Sequence, residues 1–477
     1  MRHIFAAQGL DSQLAESLYR QIYLRIKEAI VQGTLAANTR LPSVRGLASD
    51  LGVARATVEN AYSALVAEGY LQSRGQAGTY VSAQLLQVQD RSALSAVRTV
   101  PATRSSAFHP HTAGQIAPFQ LGLPALDAFP RTVWQRLVAR QLRATTVAAL
   151  SHPPTNGLPE LREAIMHYLH LSRGIVCQPE QIFICAGYQA LLDLVIDTLL
   201  QPGDAVWLED PGYPVTRPLF RAAGIQTVLV PVDDEGMDIG SGIASRPDAR
   251  MAVLTPTHQS PLGVTLSLAR RMMLLDWAQC HSAWIVEDDY DSEYRYHGKP
   301  LPPLKSLDRQ GRVLYAGTFS KTLFPALRIA YLVVPEGLVA AFDSRSRLRG
   351  CGCAPLLQAG VADFINGGHF YRHLKRMRLL YRQRREWMAL ALTQQLGEFL
   401  TVAPQAGGIQ LLARLSAERN DSALAQIAWQ QGLAVQALSG WQTLAPADKG
   451  LLMGFANFTS YDETEHAVAR LASVIQR

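Results

Sequence analysis

Apolar residues recur at four-residue intervals over 14–32, where Leu18, Ile22, Ile26 and Ile30 fall on one stripe. That spacing predicts an amphipathic helix, which Gly33 ends. Ser43, after Leu41-Pro42, suits the N-cap of a short helix over 44–51, and Gly52 breaks the chain again. Val58, Ala61, Tyr62 and Leu65 share the inner face of a third helix, about 55–68, closed by Gly69. Tyr70–Ser73 and Thr79–Val81 read as short strands around a Gly75/Gly78 turn. From 83 to 115 the periodicity disappears and Ser, Thr, Ala and Pro accumulate, as in a flexible linker. Beyond Phe119 the apolar runs QIFICA, DAVWLE, MAVLTP, WIVEDD and RVLYAG alternate with helical stretches. Such alternation implies βα units around a mostly parallel sheet, an α/β fold.

Two helices about a tight glycine turn, followed by a hairpin, make a winged helix-turn-helix. At 477 residues the chain has room for about three units at roughly 150 residues each. The pattern divides it into 1–82, a linker over 83–115, and 116–477 with a smaller α+β lobe from about 350. A hydrophobic share of 48% against 18% charged residues excludes a mainly disordered chain. No apolar run approaches the ~20 residues that span a bilayer. The first residues lack the apolar core of a secretory signal. The 5 cysteines form no C-x-x-C pair, so neither a disulfide framework nor a metal site is expected. These features predict a reduced, cytoplasmic protein with no membrane partner. The net charge of +6 is spread along the chain, so it does not say which part meets a polyanion.

On the third helix Arg55, Thr57, Glu59, Asn60 and Ser63 are the polar positions. Arg and Asn pair with base edges in a major groove, and Thr and Ser reach phosphates. Ser43 and Arg45 put a helix N-terminus beside a cation, and Arg74 with Gly78 lies on the wing. By spacing alone, a small protein-interaction module with solvated charges fits as well. The blocks LPSVR, LASDLGVARATV, AYSALVAEGYL and GTYV together resemble the GntR family of bacterial winged-helix regulators, which implies double-stranded DNA as partner. Ala54 departs from the Ser usual at that point, leaving the third helix a poor N-cap.

The chemistry concentrates around Lys321. Tyr315-Ala316-Gly317-Thr318-Phe319-Ser320-Lys321 ends a strand with two hydroxyls flanking a lysine, and Arg328 follows. A lysine amine forms a Schiff base with an aldehyde cofactor, while Thr318, Ser320 and Arg328 suit a phosphate. Asp288 and Tyr290 project to one side of an extended chain after the run Ala283–Val286. An acid facing a pyridine nitrogen is what pyridoxal phosphate needs to act as an electron sink, and a tyrosine there suits its ring oxygen. Gly187-Tyr188-Gln189 opens a helix whose free N–H groups suit the phosphate, and Tyr213 suits ring stacking. Taken singly, each has a plain structural alternative: a surface lysine, a solvated acidic loop, an ordinary βα junction, a core tyrosine.

Together these blocks resemble the fold type I, class I aminotransferases, and with the N-terminal half they resemble the MocR subfamily of GntR regulators. The resemblance covers about 1–82 and 119–470. It implies a pyridoxal 5'-phosphate cofactor bound as an aldimine to Lys321, with Asp288 on the pyridine nitrogen and Tyr290 on the ring oxygen. It implies Arg328, Ser320, Tyr188 and Gln189 as phosphate ligands, Tyr213 as the stacked ring, a homodimer, and a small-molecule effector. Ser260, in THQSPLG, stands where aminotransferases place an Asn, so His258 or Gln259 is expected to take over the ring-oxygen contact. His152 replaces the usual aromatic of its turn. Leu452, in GLLMGFANF, stands where aminotransferases carry the Arg that clamps a substrate α-carboxylate, and Val215 offers no replacement.

The expected protein is a transcriptional regulator that binds DNA through 1–82 and senses an amino acid, an amine or the cofactor itself through 116–477. Two alternatives stand beside it: a working aminotransferase that regulates its own synthesis, and a regulator of vitamin B6 metabolism. The stretch 371–385, with 7 Lys/Arg and no acid, fits either a second DNA contact or a solvated helix face.

Overall fold

The computed structural model describes residues 10–11, 16–83, 116–296, 302–350, 352–403, 405–416, 419–444 and 448–476. The expected linker, apart from residue 83, and Cys351 lie outside the described residues. The chain forms two compact units, Met1–His109 and Pro110–Arg477.

In the first unit α1 (Leu18–Val31), α2 (Val44–Leu51) and α3 (Arg55–Ala67) precede an antiparallel hairpin of β1 (Leu71–Ser73) and β2 (Thr79–Val81). Ile22, Ile26, Val58, Ala61 and Leu65 are all fully buried, so the apolar stripes of α1 and α3 meet in one core. Burying one such Ile or Leu contributes about 1.5–3 kcal/mol. Gly52 caps α2 at φ +66, a left-handed conformation that costs a residue with a Cβ. The fold is a winged helix-turn-helix.

The second unit is built on an eight-stranded sheet. Its strands are β3 (Ile182–Cys185), β4 (Ala205–Asp210), β5 (Gln226–Asp233), β6 (Gly236–Met237), β7 (Met251–Leu254), β8 (Trp284–Asp289), β9 (Val313–Thr318) and β10 (Ala330–Val333). The spatial order is β3-β10-β9-β8-β7-β4-β5-β6. Strands β9, β8, β7, β4 and β5 run parallel, while β10 is antiparallel to both β3 and β9. Side chains alternate between two cores: Val206, Leu208, Met251, Val253 and Val286 enter one, and Ala205, Trp207, Ala252, Leu254 and Ile285 the other. Burial on both faces explains why these strands read as continuous apolar runs.

Toward the C-terminus, β11 (Leu400–Val402), β12 (Gln410–Leu415), β13 (Gln436–Ala437) and β14 (Gly450–Gly454) form an antiparallel sheet in the order β11-β12-β14-β13. A 28-residue helix, His369–Leu396, packs against it and against the helix Tyr461–Ile475. This is the α+β lobe. Among the described residues no helix is long and apolar enough to cross a membrane, and no cluster of His, Cys, Asp and Glu could hold a metal ion.

Candidate cofactor site and DNA-reading surface

In the winged-helix unit, the face of α3 away from the core exposes Arg55, Glu59, Asn60 and Ser63, while Thr57 is half-buried. Ser43 Oγ accepts the Gly46 N–H at 3.1 Å and so caps α2, leaving Arg45 exposed in its first turn. Arg74 stacks on Tyr80, 4.7 Å from the ring centre, and donates to Asn38 Oδ1 at 3.1 Å. Gly78 sits at φ +103, where a Cβ would lie 3.1 Å from Arg40 Nε. Ala54 has N-cap geometry (φ −64, ψ 143) but no side-chain oxygen to offer. Ala54→Ser is therefore expected to stabilise the first turn of α3 by about 1 kcal/mol. Hydrogen exchange should read this as several-fold slower exchange of the first α3 amides; unchanged exchange would refute it.

In the second unit, strand register gathers the chemistry at one end of the sheet. Cys185 at the end of β3 pairs with Ala330 at the start of β10, and Ala330 pairs with Thr318 at the end of β9. One strand over, Asp288 pairs with Ala316. The turns carrying Gly187, Arg328 and Lys321 therefore open beside Asp288. Asp288 and Lys321 thus lie at the carboxyl ends of parallel strands, where open α/β sheets bind ligands, and Arg328 joins them from the start of the antiparallel β10.

Lys321 is buried enough that desolvation lowers its pKa, against the opposing pull of Asp291 and Asp288. Its Nζ donates to the Gly122 carbonyl at 2.8 Å, and Tyr294 donates to the Lys321 carbonyl at 3.2 Å. Gly122, at φ +80, would bring a Cβ within 2.9 Å of that amine. Nothing in the spacing of QLGLPAL marks this glycine as part of the site.

Burial pushes the Asp288 carboxyl up to about 8, although a hydrogen bond from Tyr188 works against it. A carboxyl that ordinarily titrates near 4 is here short of a counter-charge, and a protonated pyridine nitrogen would supply one. Tyr213, 40% exposed, stands edge-on to Tyr188 with ring centres 6.2 Å apart. At the phosphate end, Arg328 donates to the Ala186 carbonyl at 2.9 Å. A Cβ on Gly187, at φ +88, would lie 2.7 Å from its guanidinium carbon. Thr318 Oγ1 accepts the Ser320 N–H and donates to Ser320 Oγ, both at 3.1 Å. The helix Tyr188–Leu199 begins at Gly187, so its first N–H groups, with Gln189 exposed beside them, open toward this cradle. Glycine, guanidinium, hydroxyls and a helix start fit a phosphate; a buried amine and an under-compensated acid fit an aldehyde-bearing pyridine.

One expectation is corrected and one gains detail. Tyr188 turns its phenol to Asp288, while its backbone N–H, at the first position of the helix, is still free for a phosphate. Gln259 spends both amide hydrogens on the Pro211 and Ser260 carbonyls, at 2.8 and 2.9 Å, and its Oε1 accepts the Leu262 N–H at 3.0 Å. It braces its own loop and has no donor left for a ring oxygen. His258 instead joins a cluster that residue spacing did not reveal: its Nδ1 lies 2.9 Å from Asp291 Oδ1 and 3.1 Å from the Tyr290 hydroxyl.

Leu452 is fully buried on β14, opposite Leu412 and Gln436. Arg217, the cation nearest to Val215 in sequence, donates to Thr443 Oγ1 at 2.8 Å. In the basic helix, Arg372, Arg378 and Arg382 donate to the carbonyls of Gly367, Glu293 and Tyr296. Arg384 is buried, paired with Asp127 at 2.6 Å and bonded to the Ala456 carbonyl. Much of that charge fastens the helix to its own unit.

A winged helix-turn-helix on the same chain as an aminotransferase-like domain of fold type I defines a cofactor-binding regulator. Residues 18–81 match the family described as bacterial regulatory proteins, gntR family, and 127–470 match aminotransferase class I and II. With both modules in that order, the chain belongs to the MocR subfamily of GntR regulators: a DNA-binding transcriptional regulator with a pyridoxal phosphate-binding domain. It is 39% identical, over 94% of its length and 92% of the relative, to the probable rhizopine catabolism regulatory protein MocR of Rhizobium meliloti. It is 31% identical, over 95% of each chain, to the pyridoxine biosynthesis transcriptional regulator PdxR of Corynebacterium glutamicum. Among solved structures, an archaeal alanine:glyoxylate aminotransferase superposes with TM-score 0.70 at 27% identity, over 76% of this chain and 91% of that one. The α-aminoadipate aminotransferase LysN of Thermus thermophilus, complexed with N-(5'-phosphopyridoxyl)-L-leucine, superposes with TM-score 0.68 at 28% identity, over 76% and 92%.

Proposed function

We propose that this regulator is a cytoplasmic homodimer whose DNA affinity responds to a primary amine captured at Lys321. The observation that carries this reading is the pairing of a buried, pKa-lowered lysine with Asp288 and the Arg328–Gly187 cradle, while an apolar Leu452 stands at the carboxylate-clamp position. Pyridoxal phosphate, when bound, supplies an aldehyde carbon for which Lys321 and a free amine compete, and a ring that withdraws electrons. Arg328, Ser320, Thr318 and the start of the helix at Gly187 would hold its phosphate. Asp288 would hold a proton on the ring nitrogen, Tyr290 would face the ring oxygen, and Tyr213 would cover the ring. The Gly122 carbonyl would hold the Lys321 amine whenever that amine is free. Leucine at the clamp position neither orients nor neutralises an α-carboxylate, so efficient turnover of amino acids is not expected.

The test is operator binding by the full-length protein without cofactor, with cofactor, and with cofactor plus a panel of amines and amino acids. One amine should change operator affinity at least about tenfold, about 1.4 kcal/mol of coupling. Sustained transamination near 1 s⁻¹, in the ordinary enzyme range, would instead identify a working aminotransferase. A second reading, control of vitamin B6 metabolism, is favoured by the missing clamp and by the name of the Corynebacterium relative. It predicts that cofactor alone produces the whole change and that no amine adds to it.

A further inference from the structure

Beneath the ring-oxygen end of the site lies a cluster that the proposed function does not use. Asp291, 1% exposed, follows β8 and sets both carboxylate oxygens on His258 Nδ1, at 2.9 and 3.2 Å. A carboxylate only accepts, so the hydrogen of this pair resides on Nδ1. The Tyr290 hydroxyl lies 3.1 Å from the same nitrogen. With its hydrogen on Asp291, Nδ1 has no lone pair to offer Tyr290, so the phenol hydrogen must point elsewhere. His258 Nε2 is buried with no hydrogen-bond partner among the described residues, so the ring acts on its neighbours through Nδ1. Gly408, at φ +85, closes over the pair: a Cβ there would stand 2.3 Å from His258 Cε1 and 3.2 Å from Asp291 Oδ2. Any larger residue would push the imidazole off its carboxylate.

We infer that His258 and Asp291 are a positioning pair for Tyr290. Asp291 holds the imidazole in its Nδ1–H form, which denies the Tyr290 hydroxyl an acceptor on that side. The phenol hydrogen is thereby left to the ring oxygen of the cofactor. His258 thus acts through Tyr290 rather than on the ring oxygen directly. The inference rests on the reading of Lys321 and Tyr290 as cofactor contacts.

The consequence is measurable without turnover. A donor on the ring oxygen stabilises that oxygen's negative charge and weakens its hold on the proton it shares with the neighbouring nitrogen. The visible band of the loaded protein then changes form at a lower pH. The groups facing Tyr290 are Asp288 and Asp291 on its own segment, Glu209 from β4, and His258 and Ser260 from the loop after β7; Lys321, after β9, interacts with both aspartates. His258→Gln puts an amide oxygen able to accept the phenol hydrogen in place of the Nδ1–H and leaves these charges in place. The pH midpoint of the band should rise by about one unit, and the same substitution made on Tyr290→Phe should produce no shift.

An unmoved midpoint in a folded, loaded His258→Gln protein overturns the inference. So does a rise that persists in the Tyr290→Phe background, because that places His258 on the ring oxygen itself. Asp291→Asn is the second variant, with the sign as its discriminator. By freeing Nδ1 to accept the phenol hydrogen it should raise the midpoint; as a deleted negative charge near Lys321 it should lower it. Absence of any visible band in the wild type would overturn the cofactor reading, a failure distinct from these.

Discussion

Lys321→Ala is expected to abolish covalent attachment of pyridoxal phosphate. The loaded wild-type protein should show the visible band of a protonated imine and, after borohydride reduction, a mass increase equal to the reduced cofactor. The variant should show neither. Among the described residues, the groups neighbouring the Asp288 end of the site are Tyr188, Tyr213, Tyr290 and the Arg328 guanidinium, and none of these is a primary amine. Residual, non-covalent binding through the phosphate cradle should survive, because Arg328, Ser320 and Gly187 do not depend on the lysine for their positions. A variant that retains the mass increase would place the attachment at another lysine and refute the assignment. The fold should tolerate the change, since the lysine's one hydrogen bond to Gly122 is replaced by loss of a desolvated amine.

Arg55→Ala should weaken specific operator binding by about 1–3 kcal/mol if the guanidinium pairs with a guanine edge. Arg55 is exposed at the first position of α3, and its removal touches no buried contact, so stability should stay within about 0.5 kcal/mol. The salt dependence separates two roles. A base contact leaves the slope of log affinity against log salt unchanged and relaxes specificity at one position. A phosphate contact lowers affinity for all sequences alike and reduces the slope by about one. Unchanged affinity for the operator would remove Arg55 from the interface. Asn60 and Ser63, exposed further along the same helix, are the next positions to examine.

Local order was legible wherever one residue dictates its own surroundings. Ser43 before an amphipathic octet, Gly52 at φ +66 and Gly187 ahead of Tyr188 each marked a helix boundary that the structure reproduces within a residue. The alternation through Asp288 and Tyr290 placed both on one side of the chain, because successive side chains of an extended segment point oppositely. The partners of the Tyr188 and Gln259 side chains were not legible. The Tyr188 phenol meets Asp288, a hundred residues on, and the Gln259 amide reaches back 48 residues to Pro211. Asp291 illustrates the limit: EDDYDSE reads as a solvated acidic loop until packing under Gly408 buries one of its carboxylates against His258.

By itself the sequence determined two modules, their order, and the lysine, aspartate and arginine on which the proposed cofactor site rests. Each is stated by a short motif whose periodicity or caps are local. Only the tertiary structure decided that Gly122 receives the Lys321 amine, across 199 residues of chain, and that the basic stretch 371–385 is largely turned to internal carbonyls and Asp127. It also decided that the Tyr188 phenol meets Asp288 and that His258 is held by Asp291. The physical reason is that hydrogen bonds and desolvation act over a few ångströms in space. The register of β3, β10, β9 and β8 sets those distances, and no spacing along the chain encodes them.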